Sequence, residues 1–370
     1  MKLFKSLLVA PATLGLLAPM SVSANELNIT DVSNYSSSEE VQSIREFSPE
    51  LAITNSRVDG LEARLNDFEA GSFSDTTSAT FGSTFYVGSV DEGADDGATT
   101  FTYDFTMDLN TSFTGEDSFD VAIISGNAGG DAVGTVMAGE GTGDALQLDG
   151  VSYTFPLGGF TVNVGDGNGA DALFSGACAY SAFTDTIGDC GTPSVGGEGD
   201  SGVAVSYDFG NGFVAAGGIA GGNDADDALA GLVSDEDAST IGLELAYAAD
   251  TYAVSVAYTD DDETAGDTSY YSLQASFTPD APYSLSAGYE FDDDDADSLF
   301  VGLTTEAGPG SLSLGLSTQT LADDHDDNYM YEVAYSYDVN DNVTVTPGAF
   351  IIEDADDDEF GLVVTTGFSF

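Results

Sequence analysis

Residues Ser269 to Phe291 read SYYSLQASFTPDAPYSLSAGYEF. Apolar side chains recur at every second position: Tyr271, Leu273, Ala275 and Phe277, then Tyr283, Leu285, Ala287, Tyr289 and Phe291. Ser272, Gln274, Ser276, Ser284, Ser286, Gly288 and Glu290 alternate with them, and Pro279-Asp280-Ala281-Pro282 makes the turn. Successive side chains of a strand point to opposite faces, so this is a pair of strands, apolar on one side and wet on the other. Segments of roughly ten residues of this kind, repeated with turns between them, are the signal of a transmembrane β-barrel. A soluble β-sandwich can carry the same alternation, so the surrounding chain has to decide.

Outward from that stretch, the period of two runs from Thr77 to Phe370. It divides into about 16 candidate strands, an even number as bacterial single-chain barrels have. Between Leu146 and Phe155 the apolar parity switches at Asp149-Gly150, which reads as a bulge or as a tight hairpin. The connections alternate in character. One set is short, for example Gly115-Glu116-Asp117, Pro156-Leu157, Gly210-Asn211 and Asn340-Asp341; the other is longer or acidic, as at 126–144, 166–200 and 222–237. Outer-membrane barrels sort their loops this way, with short periplasmic turns and longer external loops. A sandwich has no reason to. The expected fold is therefore all-β, a transmembrane antiparallel β-barrel over residues 71–370.

Residues before the barrel read differently. Lys2 and Lys5 followed by the apolar run Leu7 to Pro19, with Val22-Ser23-Ala24 as a small-residue cleavage site, predict a signal peptide over 1–24. Residues 25–50 are polar and Ser-rich, a flexible arm. Over 51–70, Leu51, Val58, Leu61, Leu65 and Phe68 follow coiled-coil a/d spacing, with Thr54 as a weak d position. Arg57 and Arg64 fall at g and Glu62 and Glu69 at e, where interhelical pairs form in parallel coiled coils. The strings RVDGLE and RLNDFE resemble a parallel-trimer motif, so a homotrimer is expected.

Charge excludes whole classes of partner. The chain has 65 Asp and Glu against five Lys and Arg, a formal net charge of −60. The basic residues are Lys2, Lys5, Arg45, Arg57 and Arg64, and from Leu65 to Phe370 there is none. Nucleic acid is excluded, because phosphate binding needs a basic footprint. A hydrophobic fraction of 42% is too high for a disordered acidic protein.

Two short stretches resemble known sequences, the first of them a family and the second a general signal. Arg57 to Thr77, RVDGLEARLNDFEAGSFSDTT, resembles the outer-membrane porins of marine cyanobacteria, within the carbohydrate-selective and iron-uptake porin group. The closing Phe368-Ser369-Phe370 resembles the C-terminal signal for outer-membrane insertion, with Thr365 where that signal usually has Gly. The resemblance implies a sixteen-stranded trimeric barrel in the outer membrane, passing small hydrophilic solutes, carbohydrates among them, by diffusion. Many members carry a wall-binding surface-layer-homology domain before the coiled coil; the 25 or so residues in that place here are too few for a folded domain.

Strand parity places Asp104, Asp108, Asp120, Glu244, Glu290 and Glu332 on the inner wall. A lumen with carboxylates and no Arg or Lys has negative potential, which concentrates cations and repels anions. The longest external connection is the third, Asp166 to Asp200, and in general porins the third loop folds inward and narrows the pore. Here it carries Asp166, Asp171, Asp185, Asp189 and Glu198 as constriction candidates, and Cys178 and Cys190, the only cysteines. An even pair in an exported chain reads as a disulfide. Acidic runs such as Asp260 to Glu263, Asp292 to Asp295 and Asp354 to Glu359 do not meet EF-hand spacing. Loose Ca2+ or Mg2+ bridging stays open for them, but no cofactor or metal centre is expected. The sole histidine, His325, lies in an acidic stretch and no Ser/His/Asp triad can be assembled, so catalysis is not expected. The expected activity is passive, cation-preferring diffusion of ions and small hydrophilic solutes. Two other readings remain: a structural barrel closed by its loops, and a secreted acidic β-protein that binds calcium or glycans.

Overall fold

The structure, a computed structural model, describes residues 77–370 apart from 92–96, 131, 193–200, 223–231, 233–238, 264–265, 322–323 and 354–357. The expected signal peptide, arm and coiled-coil helix, with Arg57, Val58, Leu61, Glu62, Arg64, Leu65, Phe68 and Glu69, lie outside the described residues. So does Glu198.

Sixteen strands follow one another: β1 (Thr77–Asp91), β2 (Thr100–Thr111), β3 (Ser118–Gly126), β4 (Gln147–Leu157), β5 (Phe160–Asp166), β6 (Ser201–Gly210), β7 (Phe213–Gly221) and β8 (Ser239–Ala248), then β9 (Tyr252–Glu263), β10 (Gly266–Phe277), β11 (Tyr283–Asp292), β12 (Asp297–Ala307), β13 (Gly310–Leu321), β14 (Asp324–Asn340), β15 (Val343–Ile352) and β16 (Glu359–Ser369). Each pairs antiparallel with its sequence neighbours, and β1 pairs with β16, so the sheet closes on itself. Closure removes the unpaired edge that lipid could not satisfy. At the seam the amides and carbonyls of Phe81 and Phe370 bond reciprocally, at 2.8 and 3.0 Å, and their rings stack 5.7 Å apart.

The outer surface follows from the alternation. Leu243 and Leu245 on β8, Leu273 on β10 and Val301 on β12 all point away from the lumen; Leu243 keeps 55% of its surface exposed. A contiguous apolar outer surface of this kind is the pattern of membrane barrels. Aromatic pairs border it at both ends. At the short-turn end Phe160 meets Tyr207 (5.0 Å) and Phe213 meets Tyr247 (4.6 Å). At the long-loop end Tyr271 meets Tyr258 (5.2 Å) and Phe291 (5.1 Å). Such girdles sit at membrane–water interfaces, where an amphipathic ring is at home.

Two local details refine the sequence reading. At Asp149 the ladder slips, with Ala122 opposite Gly150 but Ile123 opposite Leu148. The parity switch is therefore a β-bulge inside β4, and the strand count stays at sixteen. Pro156 and Leu157, read from sequence as a turn, belong to β4; the turn is Gly158-Gly159, with Gly158 at φ 67°. Pro156 pairs with Thr161 in the ladder, and a two-residue hairpin with positive φ matches the twist of the flanking strands better.

The first short turn is pinned by Asp117. Its carboxylate accepts from the Ser112 and Thr114 hydroxyls, the Phe113 and Thr114 amides, and the Tyr153 hydroxyl, at 2.7–2.9 Å. These donors favour the ionised form, the Tyr153 hydroxyl most, and hold the carboxyl well below the usual carboxylate range.

Candidate functional site: the constricted lumen

The long connection after β5 turns inward and lies along the inner wall. It runs from Asn168, beside Gly202 of β6, past Gly218 of β7 and Gly242 of β8, and reaches Phe183 beside Gly348 of β15. Hydrogen bonds fix it strand by strand. The Ser175 and Gly176 amides donate to Glu244 of β8, at 2.5 and 2.8 Å. The Ala177 amide donates to Gln274 of β10 and the Ala179 amide to Ser286 of β11, at 2.8 and 3.0 Å. Glu332 of β14 accepts from the Tyr180 hydroxyl, the Phe183 and Thr184 amides and the Thr184 hydroxyl, at 2.7–2.8 Å.

The chain then doubles back through a 3-10 segment at Asp185–Cys190, and Gln274 Nε2 donates to the Asp189 carbonyl and the Thr192 hydroxyl. Cys178 and Cys190 are joined as a disulfide with Cα atoms 5.8 Å apart, closing residues 178–190 into a lobe. Tyr180, Ile187 and Cys190 bury against Phe300 of β12 and Met330 of β14. The wall makes room with glycine. A Cβ on Gly288 would lie 1.9 Å from the Cys190 carbonyl oxygen, and one on Gly348 would lie 2.4 Å from the Phe183 ring.

A second connection, between β3 and β4, also enters the barrel. It contains a one-turn helix, α1 (Ala132–Val136). Val133 and Val136 bury against Tyr86 and Val90 of β1, Phe350 of β15 and Val363 of β16, and Phe183 of the other loop packs on the same cluster. Asp104 of β2 accepts from the Tyr86 hydroxyl at 2.5 Å and from the Glu140 amide at 2.8 Å. The two loops thus meet inside the barrel.

This arrangement sorts the carboxylates expected on the inner wall. All six occupy lumen-facing positions, but their surroundings differ. Asp104, Glu244, Glu290 and Glu332 are buried, Glu332 to 4% exposure and Glu244 to 6%. Three of these, Asp104, Glu244 and Glu332, accept backbone amides from the inserted loops. Asp108 is exposed to the lumen and Asp120 partly so, with Asp120 accepting from Asn110 and Ser118. Asp149, turned by the bulge, lies within electrostatic reach of both Asp108 and Glu140. Burial, and then the nearby charges of Asp149 and Asp104, push the Glu140 carboxyl above its ordinary range.

Of the loop candidates, Asp166 ends β5 and accepts from Ser201 at 2.9 Å. Asp171 is partly buried, and burial first, then the charge of Asp189, raises its carboxyl. Asp185 and Asp189 are exposed. No Lys or Arg belongs to the described residues. Among those residues no group of three or more His, Cys, Asp or Glu is placed to hold a metal ion.

Sequence parity did not single out Glu140, Asp149, Gln274, Ser286, Tyr180 or Thr184. One signal was present: glycine at lumen-facing positions of otherwise regular strands, as at Gly218, Gly288 and Gly348. Glycine inside a strand marks the close approach of another backbone.

The sixteen-stranded closed barrel with an inserted third loop is the fold of bacterial porins. Engineered variants of the Rhodopseudomonas blastica porin superpose with TM-scores of 0.58 and 0.59, at 15% and 16% sequence identity, covering 80% of this chain and all of theirs. A triple mutant of the same porin superposes at 0.56 with 14% identity and the same coverage. No family model matches the sequence. An uncharacterized protein of Nostoc sp. is 28% identical over 192 residues, 45% of this chain, and the match spans 33% of that relative's length.

Proposed function

We propose that the protein is an outer-membrane porin: a passive, water-filled, cation-preferring channel for ions and small hydrophilic solutes, carbohydrates included, and not an enzyme. The observation that carries this reading is the lumen of the closed barrel. It is narrowed by the inserted loops and lined by carboxylates, and no cationic side chain opposes them among the described residues. Fixed charges of one sign in a narrow polar passage raise the local concentration of counter-ions. The apolar outer belt and its two girdles speak against a secreted soluble β-protein.

The competing reading is a structural barrel without an open pore, and the inward seating of both loops gives it specific support. Planar-bilayer recording of purified protein separates the two. Steady ohmic channels are expected; a membrane that stays tight at protein densities where insertion is verified contradicts the porin reading. The coiled-coil spacing at 51–70 supports a homotrimer. Charge reversal at both Arg57 and Arg64 is expected to shift native mass from trimer toward monomer, and an unchanged trimer would make that helix a spacer. Loose Ca2+ or Mg2+ binding by the acidic external loops completes the proposal. A calcium-dependent rise in thermal stability would support it.

A further inference from the structure

The lobe closed by Cys178–Cys190 lies against the inner wall, and its Phe183 packs on the same apolar cluster as the other inserted loop. Its neck is tied covalently. Its far side, residues 180–184, is held to the wall by hydrogen bonds that converge on one group, the buried carboxylate of Glu332. Two of these come from backbone amides and two from hydroxyls, and they occupy both carboxylate oxygens. In a wall without Lys or Arg, oriented N–H and O–H donors do what a counter-ion would otherwise do. Gly315 and Gly348 flank the contact and admit Tyr180 and Phe183 against the strands.

We infer that Glu332 is a positioning residue for permeation: its carboxylate latches the lobe against β14, and the width of the passage depends on that latch rather than on the charge Glu332 would present to passing ions. The inference rests on the channel reading and deepens it. A buried acceptor with several donors is costly to disrupt, because each donor left without its acceptor keeps its full desolvation penalty. Glu332→Gln replaces one acceptor oxygen with an amide nitrogen that faces donors, so the lobe loses its fit while the wall keeps its volume. Glu332→Asp keeps the carboxylate one methylene further away and restores the latch in part.

Uncharged solutes make the test, because they are blind to the charge of Glu332. The full protein, Glu332→Gln, Glu332→Asp and Tyr180→Phe/Thr184→Val are reconstituted in liposomes, and swelling is followed with sugars from pentose to trisaccharide. Insertion is verified by the mobility difference between unheated and heated samples. The expected result is a higher size cutoff for Glu332→Gln and a cutoff moved back toward the parent in Glu332→Asp. Tyr180→Phe/Thr184→Val, which removes two donors from the loop without changing any charge or any wall residue, should shift the cutoff the same way by less. It carries the test if Glu332→Gln fails to insert. A conducting parent whose cutoff is unchanged in the variants overturns the latch and leaves the porin reading standing. A parent that admits no sugar and passes no ions overturns the porin reading. If Glu332→Gln then opens that barrel, the latch holds as the closure of a structural barrel.

Discussion

The inner wall of β7 to β14 and the inner wall of β2 to β4 carry the same kind of residue and do different work with it. On the first arc Glu244 and Glu332 are buried beneath the inserted loop and accept its amides. On the second, Asp104 is likewise buried and accepts the Glu140 amide of the other loop, but Asp108, Asp120 and Asp149 stand at least partly open, with the Glu140 carboxyl brought to them by that loop. The difference teaches that a carboxylate on a lumen-facing position is not by itself a selectivity element. What decides is whether backbone N–H groups reach it. Where they do, as at Asp104, Glu244 and Glu332, it fastens a loop; where the carboxylate stands open to the lumen, as at Asp108 and Asp120, its field acts on the water of the passage.

The comparison breaks most visibly under substitution of the covered pair. Glu244→Gln with Glu332→Gln should speed amide hydrogen exchange at Ser175, Gly176, Phe183 and Thr184 by on the order of ten- to a hundredfold, since each lost acceptor is worth about 1–3 kcal/mol and about 1.4 kcal/mol is a factor of ten. Undiminished protection at those four amides would show that the loop is held by its apolar contacts alone. Next in size is the disulfide. Cys178→Ser with Cys190→Ser should reduce the resistance of the inserted loop to local unfolding by about 2–3 kcal/mol, as expected for a loop this short, read as earlier protease nicking between residues 178 and 190. Equal nicking with and without the bridge would assign the hold to the wall alone.

A smaller effect sharpens the other arc. Asp108→Asn with Asp120→Asn should lower the cation-to-anion permeability ratio in dilute salt by a few-fold, because unit charges about 4 Å apart interact by roughly 1 kcal/mol in water and several times that near protein. Glu244→Gln alone should leave the ratio almost where it was. The reverse ranking would mean that the two arcs have been assigned the wrong way round.

The smallest effect lies outside both arcs, at Asp117. Its donors lower its carboxyl in the folded protein, so its stabilisation is present above the unfolded value of about 3.9 and is lost as pH falls through the folded value. Asp117→Asn should therefore melt earlier at neutral pH, and its deficit should narrow in strong acid. A deficit that does not depend on pH would detach the effect from ionisation.

Much of this was legible in the chain. Period-two alternation is enough to draw strands, and it also orients them, because apolar and polar side chains fall on opposite faces; Leu285 could not be turned inward without turning Glu290 outward. Asp149-Gly150 was visible as a break in parity, but a bulge and a hairpin break parity alike, and only the partner strand distinguishes them. The loop insertion was harder to read. Glu332 is bonded to residues about 150 positions earlier, and half of its donors are backbone amides, which have no signature in side-chain chemistry. Lumen-facing glycines recorded the contact from the wall side without saying what approached. The apolar run Ala132-Val133 and Val136-Met137, inside an otherwise small and polar connection, was the trace left by the second inserted loop.

Reversal potential across a salt gradient, recorded on single channels of the full protein, tests most directly the claim that a carboxylate-lined lumen without opposing cations selects cations. The sign should indicate cation preference. It should be strong in dilute salt and shrink as screening tightens from about 8 Å at physiological ionic strength toward 3 Å at 1 M. On acidification the preference should begin to fall above the ordinary carboxylate range near 4, because burial raises the carboxyls of Glu140 and Asp171 and so discharges them first. An anion-preferring channel, or one whose preference ignores both salt and pH, would contradict the claim.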